Sequence, residues 1–569
     1  MMSKYKNTAI RRFIQSDSAF VLPGMIGVLV FILIPLLDVV RRSFVNAGHL
    51  GFNNYRIVLF NSAFQLAFRN TVRFEIVALP VLFVLSLLIA VVVKNMNNKY
   101  ITFAFLIPMA LPSNSVAIIW KILFDDHGVV NGILVNVLHR NAIGFFRGNA
   151  VFWLLVITFL WKNLGYNMLL WLAGLYMFPP EVCEAAEIDG ANNFVIFTRV
   201  VMPNLKGTIF TVCMLSLMNS FKIFREVYLI AGNYPDDSIY LLQHLFNNWF
   251  SKLEIGKIAS AACMTAIQFF SITMFEMDYI EGNQMQKENK VKRIGLKIII
   301  YGMVFLYILP VILVFTGVFM GDAELNDVLG AVVQESSQYA TWHLIPLYPT
   351  GENILRVLLD TPEYFVLFWN SVKVVSCIIV GQFVFAIPAA WILARNHSCI
   401  CKGIMLVYMF CMLLPFQVTM LSQYIVLKQA ALINTHGALI LPLVFSTFPI
   451  FITYNSFEQI PQAAIDAACI DGAGKWTIYW YIAIPLAKKG IFAAGILGFF
   501  EYWNMVEQVA VFITDKKLWT LSVYLPDISG GQIGKCFTFS LFSILPAIYV
   551  LYAGRDILMD GIIIKGMED

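Results

Sequence analysis

Residues 178–206 read FPPEVCEAAEIDGANNFVIFTRVVMPNLK, and residues 460–488 read IPQAAIDAACIDGAGKWTIYWYIAIPLAK. At a constant offset of 282, without a gap, the two stretches coincide at many positions. Pro179 matches Pro461, Ala185-Ala186 matches Ala467-Ala468, and Ile188-Asp189-Gly190-Ala191 matches Ile470-Asp471-Gly472-Ala473. Further on, Ile196 matches Ile478, Pro203 matches Pro485 and Lys206 matches Lys488, while Glu184 faces Asp466 so that an acid is kept. Self-similarity at a fixed spacing marks an internal duplication. A weaker echo pairs Asn70-Thr71-Val72 with Asn370-Ser371-Val372.

The repeated stretch has a readable physics. Pro179-Pro180 and Pro461 can open a helix, because proline is tolerated in the first turn. An acid in or near that turn complements the helix dipole. The paired alanines favour a smooth helix. Asp-Gly then stops it, since glycine accepts the left-handed cap conformation. A second short helical run leads to Pro203 or Pro485. Each copy therefore offers a short helix, a sharp break and a lead into the next apolar segment. A helix with small side chains can sit deep in a partner's groove.

The surroundings of the repeats are membrane-like. Hydrophobic residues make up 59% of the 569 and charged residues 13%, with 48 phenylalanines. Soluble chains have about 45–50% and about 25%. One soluble core cannot hide that much apolar surface, and disorder is excluded by the same numbers. The net charge of +4 gives no footprint for nucleic acid. A span needs about 20 apolar residues. Candidates fall at 20–40, 73–93, 101–124, 151–177, 208–230 and 258–280, then at 296–320, 368–394, 402–426, 438–457, 490–513 and 539–560. The run 20–40 is too long for a signal-peptide core and lacks a cleavage site, so it is expected to stay as the first span.

The expected organisation is a first half at 1–280, a hydrophilic linker at 281–295 and a second half at 296–569. Lys4, Lys6, Arg11 and Arg12 in the tail, and Lys287, Lys290, Lys292 and Arg293 in the linker, predict cytoplasmic termini. Arg41, Arg42, Arg56 and Arg69 oppose that bias. Residues 321–367, with Pro346, Pro349 and Pro362, predict a small lobe outside the membrane. The nine cysteines are scattered. The close pair Cys399-Ile400-Cys401 lacks metal-site spacing, so they read as apolar fillers.

The two repeated stretches resemble the EAA loop of bacterial ATP-binding-cassette (ABC) importer permeases. Glu184-Ala185-Ala186, Asp189-Gly190 and Pro203 fit that pattern, as do Asp466-Ala467-Ala468, Asp471-Gly472 and Pro485 with Asp for Glu. Phe221-Lys222-Ile223-Phe224-Arg225-Glu226 is similar to a stretch in the first permease of the maltose and glycerol-phosphate type. Trp503-Asn504, with Thr520-Leu521 beyond, is similar to its usual partner permease. Two places depart from the family pattern. Ala231-Gly232-Asn233-Tyr234-Pro235 stands where the family has Thr-Gly-Gly-Gly-Pro, and Arg225 replaces the usual acid.

The resemblance implies an all-α polytopic protein of about twelve transmembrane helices, a 6+6 tandem repeat of the ABC importer permease fold with both halves fused. It implies a sugar importer in a bacterial plasma membrane, with EAA loops at 179–207 and 461–489 docking two ABC ATPase subunits. An extracellular solute-binding protein or lipoprotein would deliver the sugar. The chain itself would bind no cofactor, with ATP and magnesium used by the partners. The nearest phosphate-loop echo, Gly530-Gly531-Gln532-Ile533-Gly534-Lys535-Cys536, is one residue short and has Cys where magnesium needs Ser or Thr, so it reads as a loop turn.

Polar residues at membrane depth line pathways or pair with one another. Lys162, Asn163, Tyr166 and Asn167 lie in one span, and Asn219, Lys222, Arg225, Glu226 and Tyr228 in the next. Lys222, Arg225 and Glu226 fall at i, i+3 and i+4, near one face. Glu501, Asn504 and Glu507 form a stripe in the second half. Tyr166, Phe221, Phe224, Tyr228 and Trp503 could offer aromatic faces to a sugar. The expected path therefore comprises Tyr166, Asn167, Asn219, Phe221, Phe224, Glu226, Tyr228, Trp503 and Asn504. The competing reading is inter-helix ion pairing, such as between the neighbours Arg225 and Glu226. A proton- or sodium-coupled twelve-span transporter is the rival function. It would carry a Gly-Asp-Arg-type turn between spans two and three, where this chain has Lys94-Asn95-Met96-Asn97-Asn98-Lys99. A membrane enzyme lacks its motifs, as neither H-E-x-x-H nor G-x-S-x-G occurs.

Overall fold

The computed structural model describes residues 18–46, 48–96, 98–177, 180–192, 195–279, 293–333, 338–524 and 533–562. The basic tail residues Lys4, Lys6, Arg11 and Arg12, Pro179, linker residues 281–292 and Gly530-Gly531-Gln532 lie outside them. Among the described residues the chain is helical apart from a two-stranded hairpin, Val45–Asn46 with His49–Leu50, and one isolated bridge between Met320 and Pro349. Among the described residues eight helices are long and apolar enough to cross a bilayer, and up to ten when each of two bent pairs counts as one span. Gly148–Met177 and Ile255–Tyr279 stand at two further expected positions, as helices of 30 and 25 residues outside that apolar set. All twelve expected positions are thus helical, in two tandem sets.

Two expectations need correction, and the third span of each half, found where expected, carries a sharp bend. Tyr100–Ala110 meets Ser113–Asn136 at 93°, and Cys399–Met412 meets Phe416–Gln429 at 102°. The cause is local. Leu111 and Leu414 each precede a proline and take extended ψ values of 127° and 117°, because the proline ring excludes the helical region from the residue before it. The expected span 490–513 ends at Trp503, and the chain breaks before Glu507–Phe512. Gly534-Lys535-Cys536 is the first turn of the helix Ile533–Ile562 rather than a loop. Within residues 321–367 stand the short helices Asp322–Val333 and Glu352–Asp360, and residues 362–367 already belong to the helix Pro362–Arg395. Glu324 accepts the Leu347 and Tyr348 amides at 2.8 and 3.2 Å, and Arg356 pairs with Asp322.

Prolines also explain a second irregularity. Three π-helical turns, Leu29–Leu33, Ile196–Val201 and Tyr479–Ala483, each end two residues before a proline: Pro35, Pro203 and Pro485. Proline clashes with the carbonyl four residues back. A wider turn moves that carbonyl aside without breaking the helix.

The weaker sequence echo is a repeated clamp. Asn70 donates to the carbonyls of Asp237 and Tyr240 at 2.6 and 3.1 Å, and Thr71 Oγ1 accepts the Leu242 amide. Asn370 donates to Lys517 and Trp519 at 2.8 and 3.0 Å, and Ser371 Oγ accepts the Leu521 amide. In both halves the second helix thereby holds the loop that follows the fifth.

The first helix of each half reaches into the other half. Phe20 stacks on Trp476 at 4.1 Å and meets Tyr479 edge-on at 5.5 Å. Phe20, Val21, Val28 and Ile32 share a core with Ala386, Ala390, Phe457 and Ile491. A Cβ on Gly27 would lie 2.0 Å from the Phe445 ring, so only glycine permits this approach. In return, Tyr307 packs on Phe105 at 5.1 Å, its carbonyl accepts Trp161 Nε1 at 2.9 Å, and its hydroxyl donates to the Trp161 carbonyl.

Close backbone approach recurs at Gly165, where a Cβ would sit 1.8 Å from the Phe105 carbonyl oxygen. Gly165→Ala is expected to cost about 1–3 kcal/mol through overpacking and to lower the melting temperature in detergent. Gly302→Ala, whose Cβ meets nothing within 4 Å, is expected to leave it unchanged or raise it. Equal melting curves for the two variants would contradict this packing.

Candidate functional site

Two features stand out: the repeated helices between the fourth and fifth spans of each half, and a charged cavity between the halves. The repeated helices are Pro180–Ile188 and Gln462–Ile470. Both end in the same hydrogen-bonded cap. The Gly190 amide bonds to the Glu187 carbonyl and Ala191 to Ala186; Gly472 bonds to Cys469 and Ala473 to Ala468. Gly190 and Gly472 have φ of +82° and +80°. This is a Schellman motif, which needs a residue free to enter the left-handed region. The stop leaves Ile188 and Ile470 protruding, 86% and 85% exposed. Glu184, Ala185, Asp189, Asp466, Ala467 and Asp471 are exposed too, while Ala186 is half-buried and Ala468 buried. The acid expected near the first turn is present only in the first copy, as Glu181. Asp466 lies one turn on and accepts from Gln462 at 2.9 Å.

The cavity occupies about 300 Å³. Both fifth helices break beside it, Lys206–Lys222 at Ile223 and Ile484–Trp503 at Asn504. The breaks turn their charges inward. Lys222 Nζ donates to Glu501 at 2.6 Å, Arg225 Nη2 to Glu501 at 2.8 Å and Arg225 Nε to Glu507 at 2.7 Å. On the other side of Arg225, Glu226 accepts Lys162 Nζ at 2.5 Å and Ser113 Oγ at 2.7 Å. Asn504 Oδ1 accepts the Ser113 amide at 3.2 Å, tying the bend of the third span into the network. Arg225 thus pairs across the halves and not with its neighbour Glu226. Arg225 and Glu507 are 282 residues apart, the offset of the repeat itself. Equivalent positions touch each other only near the axis that relates the two halves.

Of the residues expected on a path, Tyr166, Asn219, Phe221, Glu226 and Asn504 line the cavity. Asn167, Phe224, Tyr228 and Trp503 do not. Asn167 is buried and accepts from Ser216 at 2.8 Å. Phe224 packs on Tyr228 and His244 at 5.4 and 4.8 Å. Trp503 donates to the Ser543 carbonyl at 3.0 Å and stacks on Phe499. For Phe224 and Tyr228 helical spacing alone did not give the face, because the break at Ile223 resets the register.

The sequence reading missed Gln417, Thr419, Gln423, Thr447 and Gln508 on the wall. Three of them follow Pro415 on the half-span Phe416–Gln429. Pro415 was the available signal, since broken spans line cavities and free their polar groups for cargo. Among the described residues no cluster of His, Cys, Asp and Glu has the geometry to hold a metal.

The family described as "Binding-protein-dependent transport system inner membrane component" matches this chain twice, over residues 82–319 and 386–562. The chain belongs to this family. Relatives in the family match about half of it, as expected when one chain holds two units. The arabinooligosaccharides transport system permease protein AraP of Bacillus subtilis (strain 168) is 29% identical over 274 residues, 45% of this chain and 86% of that protein. The trehalose/maltose transport system permease protein MalF of Thermococcus litoralis is 26% identical over 280 residues, 47% of this chain and 93% of that protein. A solved bacterial ABC transporter involved in the import of the acidic polysaccharide alginate aligns with a TM-score of 0.41 at 19% identity, covering 48% of this chain and 99% of that one. Family membership makes the chain a multi-pass permease, and the ion-coupled alternative is set aside.

The cross-half pairing generates a charge-swap prediction. Arg225→Glu places three carboxylates together and is expected to cost about 3–5 kcal/mol, as for breaking a buried ion pair, read as a lower melting temperature of the purified chain. Adding Glu507→Arg to that variant should restore part of the loss. A double variant no more stable than the single one would contradict direct pairing.

Proposed function

We propose that the chain is the fused permease of an ABC importer for a carbohydrate, with halves at 1–280 and 296–569 joined by 281–295. The observation that carries the reading is the pair of equivalent, Schellman-stopped helices, each presenting one exposed isoleucine. Single exposed apolar residues are ordinary on a protein surface. The same residue, equally exposed at the same place in both repeats, is a matched docking knob.

In this reading two ABC ATPase subunits each take one knob on the cytoplasmic side, where both termini also lie. Glu184, Ala185, Ala186, Asp189 and Gly190 form one coupling surface. Asp466, Ala467, Ala468, Asp471 and Gly472 form the other. Closure of the ATPase pair on ATP pushes both helices. The halves then rock about the axis where Arg225 meets Glu507, and the cavity changes the side it faces. A solute-binding protein delivers the cargo from outside. The cargoes for which AraP and MalF are named, arabinooligosaccharides and trehalose/maltose, support a carbohydrate. So does a cavity wall that mixes Gln, Asn and Thr with Phe and Tyr.

The test is affinity purification of the chain from its native membranes, with co-eluting ATPase activity as the readout. The wild type should bring the activity down. Ile188→Asp combined with Ile470→Asp should reduce it more than tenfold, since each buried isoleucine is worth about 1.5–3 kcal/mol. Undiminished ATPase recovery with the double variant would refute docking at these helices.

A further inference from the structure

A carbohydrate importer can carry neutral sugars or sugars bearing carboxylate or phosphate. We propose that the cavity of this permease is built for an uncharged saccharide and discriminates against anionic ones. The inference rests on the carbohydrate reading above and deepens it.

The described wall carries six ionised side chains: Lys162, Lys222, Arg225, Glu226, Glu501 and Glu507. Three are cations and three are anions, so the wall sums to zero. Each is bonded to another member of the six, Lys162 to Glu226, and Lys222 and Arg225 to Glu501 and Glu507. An anionic sugar would have to take a cation from its carboxylate and leave that carboxylate exposed to a low-dielectric site. Breaking either buried pair, Lys162–Glu226 or Arg225–Glu507, in this way is strongly unfavourable, and Lys222–Glu501, about a third exposed, is the softer link. Rocking of the halves can lengthen these bonds, yet it cannot alter the sum. The same wall suits hydroxyls. Each carboxylate has lone pairs left after its ion pairs, and hydrogen bonds to ionised groups are the stronger kind. Gln508 Oε1 is buried at the wall without a partner and awaits a donor. Phe416 and Phe448 add apolar surface for the C–H faces of a sugar ring.

Two substitutions change the sum in opposite directions. Glu501→Gln leaves the wall with one uncompensated cation. Lys222→Met leaves it with one uncompensated anion. Both cut the same 2.6 Å bond, so loosened helices would shift both variants alike. Charge selection would drive them apart.

The experiment measures binding to the purified full chain in lipid nanodiscs by saturation-transfer NMR. The probes are maltotriose and a trimer of galacturonic acid, equal in length. The wild type is expected to bind maltotriose at least about tenfold more tightly, a ratio that corresponds to about 1.4 kcal/mol. Glu501→Gln should raise affinity for the acidic trimer several-fold, and Lys222→Met should lower it further. Equal or tighter binding of the acidic trimer by the wild type would overturn the proposal. So would a shift of both variants in the same direction. Binding of neither probe would overturn it together with the carbohydrate reading, whereas ATPase co-purification reports on the permease reading independently.

Discussion

A guanidinium cannot stand alone inside a membrane protein, and Arg225 does not. Its two carboxylate partners, Glu501 and Glu507, both come from the other half. Isolated charges at that depth are costly, so the position of this one side chain constrains much around it. Both fifth helices must break where they do, so that Arg225 and Glu507 turn toward the shared axis. The third span must bend at Pro112, so that Ser113 reaches Glu226 and Asn504. The cavity is the space that these breaks leave. The two halves are also made unlike at the point where they meet, because two copies of either half alone would oppose like charges there.

Much of this was legible in the residues, at different levels. The duplication was plain because Ile188-Asp189-Gly190-Ala191 recurs unchanged in a chain of otherwise diverged helices. Its chemistry is a helix stop, and stops depend on one or two residues, so they survive drift. The Asn70-Thr71 echo had a reason as well, since a side-chain amide that clamps two carbonyls has few substitutes. The breaks in the third spans were not read because apolar runs hide them: hydropathy averages across Pro112 and Pro415, while backbone sterics do not. Phe224 and Tyr228 fall off the cavity wall for a related reason, since helical periodicity holds only within one uninterrupted helix and theirs breaks at Ile223, while Asn167 and Trp503 sit in unbroken helices and bond elsewhere, to Ser216 and Ser543. The partners of Arg225 were out of reach of local reasoning, because they lie hundreds of residues away.

Proline acts in two ways in this fold, and context decides between them. At Pro112 and Pro415 the preceding leucine is extended and the helix turns by roughly a right angle. At Pro35, Pro203 and Pro485 the preceding turn widens to a π turn and the helix continues. The first solution creates half-spans whose ends face the cavity. In the second half the π turn carries the chain from Lys475 to Trp503 as one continuous span, whereas in the first half a turn at Leu205 follows Met202–Asn204 before the fifth helix begins at Lys206.

The crossed first helices change what it means for this permease to be one polypeptide. Phe20 and Gly27 grip the second half, and Tyr307 grips the first. Two separately made subunits could embrace in the same manner, so the tether adds no surface to the finished particle. Its contribution comes earlier. Covalent linkage raises the local concentration of each half for the other, so each half meets its counterpart as soon as it is made. Every ribosome that finishes the message then delivers the two unlike pieces in equal number, and no orphaned half is left in the bilayer with an unpaired arginine.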